Sequence, residues 1–584
     1  MKRHILKSLF CLLILIIACR ANGAGAFFLG QSQDFFVDPS YDSSGRSTFS
    51  AFLKIATDRS LIYVENDWWS SLENRDQINS YIKNLGDEFD KTIYPRLTQI
   101  YGSEWSPGID NEYRIIILIT RMKEGTAGYF NSADEYPKSQ SQTSNEREMI
   151  YLNGTYLSSD RTKGFLAHEF QHMITFYQKE KVKNLVEDVW LNEARSEYAS
   201  TLCGYDNIYK GSNLEKRVNE FLQNPSDSLT EWENKSSDYS SVNLFMQYLV
   251  GRYSAGILTR MIKADTVGIA SINKALEEIG SAERFFDVFT NWTIASYVNN
   301  CQVGDGQRYC YLSSNLPYDV FHLGPGISNS LSAQDGTVFS FSDNTKDWAG
   351  HWYEILSQGG DLNLALNFYG VNAKWQIPII IYNVDGSKDV RFLATGKDPV
   401  SDFISDFGRK VNGIIIIPLR QAKLENFSAS EPFYPFSFEA KLTSLSQISS
   451  SSSFIEQNSS PSSSLKPNYP DGSLIRATGD SRVFVINGKY KRWIQSPAIL
   501  AAYPHFSWQN IIQVSSAERD WYQEAWLVRA NGDYKVYEIN GDGTKHWLDM
   551  SSQQFSQSGR SWDMVFVINK IERDLYRTGA AVTR

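Results

Sequence analysis

Cysteine and histidine are scarce in this chain, five of one and seven of the other in 584 residues. So few cysteines exclude a fold stapled together by disulfides, and the absence of any paired CxxC spacing excludes a zinc ribbon. Basic runs are missing beyond the first residues, and with a formal charge of −9 the chain lacks the electrostatic footprint of a nucleic-acid binder. Long apolar runs are missing too. The best of them, Leu9 to Ala18, is too short and too terminal to span a bilayer, and behind Lys2, Arg3 and Lys7 it reads as an export signal. What the chain has in quantity is aromatic side chains, 14% of residues, within an apolar content of 42%, so it folds rather than staying disordered. Its length predicts several domains.

Apolar spacing predicts a helix over Asn74 to Tyr101, strands over Tyr113 to Ile119 and Glu148 to Asn153, then helices over Phe165 to Gln178, Leu191 to Leu202, Val242 to Tyr253 and Ala282 to Val298. Residues Phe27 to Arg75 are either a removable leader segment or the first layer of this α+β unit, which extends over 27–320. From Asp335 the texture changes to strand alternation, as in Thr337 to Phe341 and Leu362 to Phe368, and with the runs Ile377 to Tyr382 and Ile414 to Pro418 it predicts an all-β sandwich over 325–442. Residues 443–473 are a serine-rich linker. Beyond it the chain repeats itself: Leu474, Arg476, Gly479 and Asp480 recur as Leu527, Arg529, Gly532 and Asp533, giving two tandem modules over 474–523 and 527–577. Their recurrent Trp493 and Trp547 either stack on sugars or belong to a core. Outside the export segment only Cys203, Cys301 and Cys310 remain. Either Cys301 and Cys310 close a small loop, leaving Cys203 buried, or all three are unpaired.

The segment FLAHEFQHMITF, Phe165 to Phe176, concentrates the scarce histidines. On a helix, His168 and His172 lie four apart on one face, so two imidazoles can reach one metal ion, with Glu169 beside them to take a proton from water. Leu166, Phe170, Met173 and Ile174 supply the packing face. A third ligand separates this reading from a core helix with hydrogen-bonded histidines. Glu193, in Trp190-Leu191-Asn192-Glu193-Ala194-Arg195-Ser196-Glu197 on the next helix, can complete a two-histidine, one-glutamate set that leaves a position open for water.

The pairing of HEFQH with NEARSE resembles the gluzincin clan of zinc peptidases, to which thermolysin belongs. The chain is similar over roughly Tyr113 to Tyr311 to the hyicolysin-type bacterial neutral zinc peptidases, through Ala127 to Phe130, Ser144 to Asn153, both metal-motif segments and Asp238 to Phe245. That resemblance implies a thermolysin-like α+β catalytic domain and one catalytic Zn2+. It implies His168, His172 and Glu193 as ligands, Glu169 as general base, Asn192 as part of the ligand motif and Glu197 as the carboxylate orienting a histidine. It also implies a tyrosine near the start of a later helix as donor to the oxyanion, here Tyr239; the alternative for Tyr239 is a packed aromatic. Strand Met149 to Asn153 is either the edge to which a substrate adds or a paired interior strand. The sandwich weakly resembles the bacterial pre-peptidase C-terminal type. Ile16-Ile17-Ala18-Cys19 resembles the lipobox, which implies a signal peptide over 1–18 and a lipidated Cys19 as mature N-terminus; the competing site Ala24-Gly25-Ala26 implies plain secretion. Either outcome places the protein outside the cytoplasm, touching membrane only through a lipid anchor. The expected substrate is a protein or peptide, with cell-wall or surface polymer as a further partner of the repeats. Two other functions compete: a surface adhesin whose repeats and sandwich bind wall polymer or host ligand, and a zinc hydrolase acting on a non-peptide bond.

Overall fold

In the computed structural model, the described residues are 27–331, 336–370, 374–393, 400–427, 429–444, 469–477, 482–503, 506–531, 533–551 and most of 554–583. The export signal, Cys19 and most of the serine-rich linker lie outside them.

Three strands precede anything the sequence reading marked as regular: β1 (Ser32–Phe36), β2 (Thr48–Ala56) and β3 (Ser60–Glu65). They join β4 (Ile115–Thr120), β5 (Gly128–Phe130) and β6 (Met149–Asn153) in a six-stranded sheet of order β1-β2-β3-β4-β6-β5. Residues 27 to 75 therefore supply half of the sheet. The central strands β3, β4 and β6 pair in parallel and are buried throughout, which is why Ile115 to Thr120 reads as a continuous apolar run rather than an alternating one. Ile117 and Ile119 face the helical core, while Ile116 and Leu118 face a second apolar cluster with Phe35, Leu53 and Tyr129.

The helices described before the sandwich are α1 (Asn66–Ser71), α2 (Arg75–Glu88), α3 (Tyr94–Tyr101), α4 (Thr162–Thr175), α5 (Val189–Cys203), α6 (Asn213–Gln223), α7 (Ser236–Tyr253), α8 (Gly256–Lys263), α9 (Gly268–Glu278) and α10 (Phe285–Val298). The helix expected over Asn74 to Tyr101 is interrupted by a π turn at Phe89–Ile93, just before Pro95, whose missing N–H forbids regular α hydrogen bonding through that point. Cys301 and Cys310 form the disulfide, and Cys203 is a buried free thiol.

Strands β7 (Ile327–Leu331), β8 (Val338–Thr345), β9 (Tyr353–Ser357), β10 (Leu362–Gly370), β11 (Trp375–Gln376), β12 (Pro378–Asn383), β13 (Lys388–Phe392), β14 (Val400–Phe407), β15 (Val411–Ile416), β16 (Leu419–Arg420) and β17 (Tyr434–Thr443) follow. One layer is β13-β12-β15-β9-β7 and the other β14-β10-β17-β8, meeting through the single pair Phe407 and Val411. Ile379, Ile381, Ile414 and Ile416 point into the core between the layers. Their neighbours Ile380, Ile415 and Ile417 point the other way, into the core of the helical unit beside Trp348 and Trp352. Hydrogen bonds cross the same boundary: Trp352 Nε1 donates to the Thr293 carbonyl at 3.1 Å, and Gln421 Nε2 to Thr290 Oγ1 at 2.8 Å.

Past the linker, β18 (Leu474–Ala477), β19 (Val483–Asn487), β20 (Tyr490–Ile494), β21 (Ile512–Val514) and β22 (Gln523–Glu524) form one five-stranded sheet. A second is made by β23 (Leu527–Ala530), β24 (Val536–Ile539), β25 (Thr544–Trp547), β26 (Val565–Ile568) and β27 (Arg577–Thr578). Both sheets have one strand order, the fourth strand first and the fifth last. Val485 and Tyr490 share a core with Val528, Tyr537 and Phe566, and the buried pair Arg492 and Glu572 joins a strand of the first module to the helix Lys570–Leu575 of the second at 2.5 Å. Trp493 and Trp547 are half-buried and pack against these cores, whereas Trp508 and Trp562 are 57% and 50% exposed.

Candidate metal centre

α4 runs with Leu166, Ala167, Phe170, Met173 and Ile174 fully buried, which fixes the helix face that carries His168 and His172. α5 packs directly against α4 and delivers Glu193 to the same point. The two imidazole Nε2 atoms lie 3.1 Å apart, and Glu193 Oε2 lies 3.2 Å from His168 Nε2 and 3.5 Å from His172 Nε2.

Each imidazole is held from behind. His168 Nδ1 faces Glu197 Oε1 at 3.5 Å. Glu197 is itself gripped by the Arg217 guanidinium, from Nε at 2.8 Å and Nη2 at 2.7 Å, and by the side-chain amides of Asn213 at 2.9 Å and Asn243 at 3.3 Å. His172 Nδ1 lies 3.1 Å from Ser196 Oγ, which donates to Gln171 Oε1 at 2.6 Å and so accepts from the imidazole. With Nδ1 of each ring occupied, Nε2 is left free for an ion.

Zinc fits this donor set. Glu193 Oε2 is buried and makes no hydrogen bond of good geometry despite facing both rings. Among the described residues, His168, His172 and Glu193 are the group whose ligand atoms all lie within 4.8 Å of one another. Two nitrogens and one carboxylate match a catalytic zinc set with a remaining position for water. The charges agree: burial works against it, but both histidines hold the Glu193 carboxyl far below the usual carboxylate range. His168 is pushed down by burial, yet Glu193, Glu169 and Glu197 outweigh that and raise it to about 9. Such a site gathers positive charge.

Glu169 is buried beside the ligands, where desolvation raises its pKa against the opposing pull of His168 and His172. The strand that carries Phe130 approaches closely: a Cβ on Gly128 would lie 3.3 Å from Glu169 Cγ and 2.7 Å from the Tyr151 carbonyl. Glycine alone lets β5 sit there. Above the helices opens a cavity of about 350 Å³, lined by His168, Glu169, His172 and Glu193 and walled by Tyr239. Asn192 lines it too, its side-chain oxygen buried without a partner. Tyr239 stands on the first turn of α7 with its ring on the Arg217 guanidinium, 4.8 Å from the centroid, and its hydroxyl donates to Asn234 Oδ1 at 2.8 Å.

No family model matches the chain. It is 28% identical over 221 residues to the neutral metalloprotease ShpI of Staphylococcus hyicus, a match covering 33% of this chain and 47% of that protein. The chain thus spans about half the length of this relative. Sequence similarity and donor set together support a zinc metalloprotease. Solved structures add only partial likenesses. The lysozyme inhibitor PliG of Aeromonas hydrophila is 8% identical, covering 20% of this chain and 100% of its own, with a TM-score of 0.14. The pre-peptidase C-terminal domain of a Bacillus anthracis collagenase is 6% identical over 20% of this chain and 96% of its own, with a TM-score of 0.13. At such scores neither likeness assigns anything to the chain.

Around this candidate metal site the structure brings together every residue the sequence singled out on α4 and α5, and adds others. Gln171 and Ser196 lay inside the quoted motifs, where a polar residue on a buried helix face was the available signal. Arg217, behind Glu197, and Tyr41, on the cavity wall, carried none. One expectation is settled against the edge reading: β6 is interior, bonded to β4 on one side and β5 on the other, and the sheet ends at β5.

Proposed function

We propose that the protein is an extracytoplasmic zinc metalloendopeptidase of the gluzincin clan, of hyicolysin type, that hydrolyses peptide bonds in proteins. The observation that carries this reading is Glu193 Oε2, buried without a hydrogen bond of good geometry and facing two imidazole Nε2 atoms, with a buried glutamate on the helix that carries the imidazoles. A zinc ion held by His168, His172 and Glu193 would supply Lewis acidity, lowering the pKa of water and polarising a peptide carbonyl. Glu169 takes the proton from the attacking water and returns it to the departing amine nitrogen, so that one carboxylate serves as base and then as acid. Glu197 and Ser196 keep the rings oriented through the cycle. Tyr239 is the candidate donor to the developing oxyanion from one wall. The open edge of β5 supplies backbone groups along which an extended substrate lies as an added strand, next to the base.

Export fits the N-terminal charge and apolar pattern, with Cys19 as the lipid-bearing residue. In the C-terminal modules, Trp508 and Trp562 are the aromatic surfaces offered to a wall or surface polymer. The decisive experiment is hydrolysis of a denatured protein with and without a zinc chelator, together with Glu169→Ala. That variant should keep its zinc and lose roughly 10²–10⁴-fold in turnover. Undiminished cleavage by Glu169→Ala, or a folded preparation that binds no zinc, contradicts the assignment.

A further inference from the structure

Tyr41 belongs to none of the motifs, yet it lines the same cavity as Glu169 and Glu193. Its ring stacks on Tyr129 at 4.7 Å, and Tyr129 follows Gly128, the residue of β5 that approaches Glu169, with Phe130 also on the cavity wall. The phenol therefore lines the cleft on the side of β5, at the open edge of the sheet. Burial raises the pKa of that phenol, and the charges of Asp38, Glu169 and Glu193 add to the shift, so the hydroxyl keeps its proton.

The loop that presents Tyr41 is tied down on all sides. The Tyr41 carbonyl accepts from Lys123 N at 2.9 Å, and Asp42 pairs with Met122 as an isolated bridge. The Asp42 carboxylate accepts from the amides of Ser44 at 2.9 Å and Arg46 at 3.0 Å and from Arg46 Nη2 at 2.7 Å. Arg46 Nη1 reaches Glu65 at 2.5 Å, and Glu65 accepts from Thr120 Oγ1 at 2.6 Å. A loop fixed to β3 and β4 in this way holds its side chain without reorganisation, which is what an electrostatic contribution to a transition state requires. The two cavity phenols differ in one respect. The Tyr239 hydroxyl must leave Asn234 before it can donate to substrate, whereas the Tyr41 hydroxyl makes no hydrogen bond among the described residues, and the residue is 38% exposed.

We propose that Tyr41 is a further catalytic residue, its hydroxyl donating a hydrogen bond to the carbonyl oxygen of the scissile bond as negative charge develops there. This rests on the peptidase reading and extends it: the N-terminal strands supply a substrate-contacting group as well as the floor of the sheet.

The test compares wild type with Tyr41→Phe, which keeps the ring on Tyr129 and removes only the oxygen. Steady-state kinetics on a peptide substrate should show kcat lowered by about 10- to 100-fold with KM within about twofold, as for loss of a donor used only in the transition state. Calorimetric affinity for a phosphinic peptide, which mimics the tetrahedral species, should fall in parallel, with zinc content and melting temperature unchanged. If wild type cleaves the peptide and Tyr41→Phe matches it in kcat and in phosphinate affinity, Tyr41 is not a donor and only this inference falls. Loss of zinc or of thermal stability in Tyr41→Phe makes the residue structural and overturns it equally. A wild-type protein whose cleavage survives zinc removal overturns the peptidase reading, and this inference with it.

Discussion

Glu197 shows how much of the site rests on residues that never meet a substrate. It is almost fully buried, and its carboxyl is held below the usual range because the Arg217 guanidinium outweighs the burial that opposes it. Breaking a buried ion pair from one side leaves an uncompensated charge, worth about 3–5 kcal/mol. Arg217→Met should therefore lower stability to denaturant by that amount and weaken zinc affinity by roughly 10–100-fold, because Glu197 is no longer aimed at His168. Adding Glu197→Gln should return most of the stability but not the affinity, as read by denaturant titration and competition with a chelator; a double variant that recovers both would show that Glu197 does not orient the ring. At this scale the ligands were legible because the helix repeat is local: four positions from His168 to His172, and four from Glu193 to Glu197. Arg217 was not, since it meets Glu197 across 20 residues and two helices.

Among the elements, β5 does more than its three residues suggest. It closes the sheet, pairs antiparallel with β6 and runs close against Glu169. It can do so only because Gly128 has no Cβ. In Gly128→Ala the added carbon would meet the Tyr151 carbonyl at 2.7 Å and Leu152 Cδ2 at 3.0 Å, so the strand must shift. A displacement near 1 Å at a reacting group costs about 10²-fold. The expected outcome is a comparable loss of kcat/KM with zinc content retained, measured by kinetics and metal analysis; wild-type kinetics would remove β5 from the account of the base. Strand β5 is too short to announce itself in a sequence, and β1 to β3 escaped notice because β1 and β2 alternate only weakly. The long helices and the isoleucine strands, with many residues supporting one period, were readable.

The whole molecule is less modular than its texture implies. The sandwich does not hang from the helical unit by a linker; β12 and β15 are buried on both faces, one against their own partner layer and one against α10. Trp348 is the keystone, 1% exposed, 4.7 Å from Phe285 and 5.3 Å from Phe289 between ring centroids, with its indole N–H on the Lys423 carbonyl at 2.6 Å. Trp348→Ala should cost about 3–5 kcal/mol. Because the core is shared, hydrogen exchange should report loss of protection in α10 and in β15 together; loss confined to the sandwich would mean two independent folding units.

The sequence by itself determined the donor types, their helical spacing, the carboxylate of Glu169 beside them, the strand-rich middle and the recurrence at the C-terminal end, since each of these is written in residues close along the chain. Only the tertiary structure decided that β5 rather than β6 is the edge, that Arg217 holds Glu197, that Tyr41 faces the cleft and that two cores merge around Trp348. Each of those depends on contacts between residues far apart in sequence. Their side chains are ordinary in composition and acquire a role only when folding brings their partners within a few ångströms.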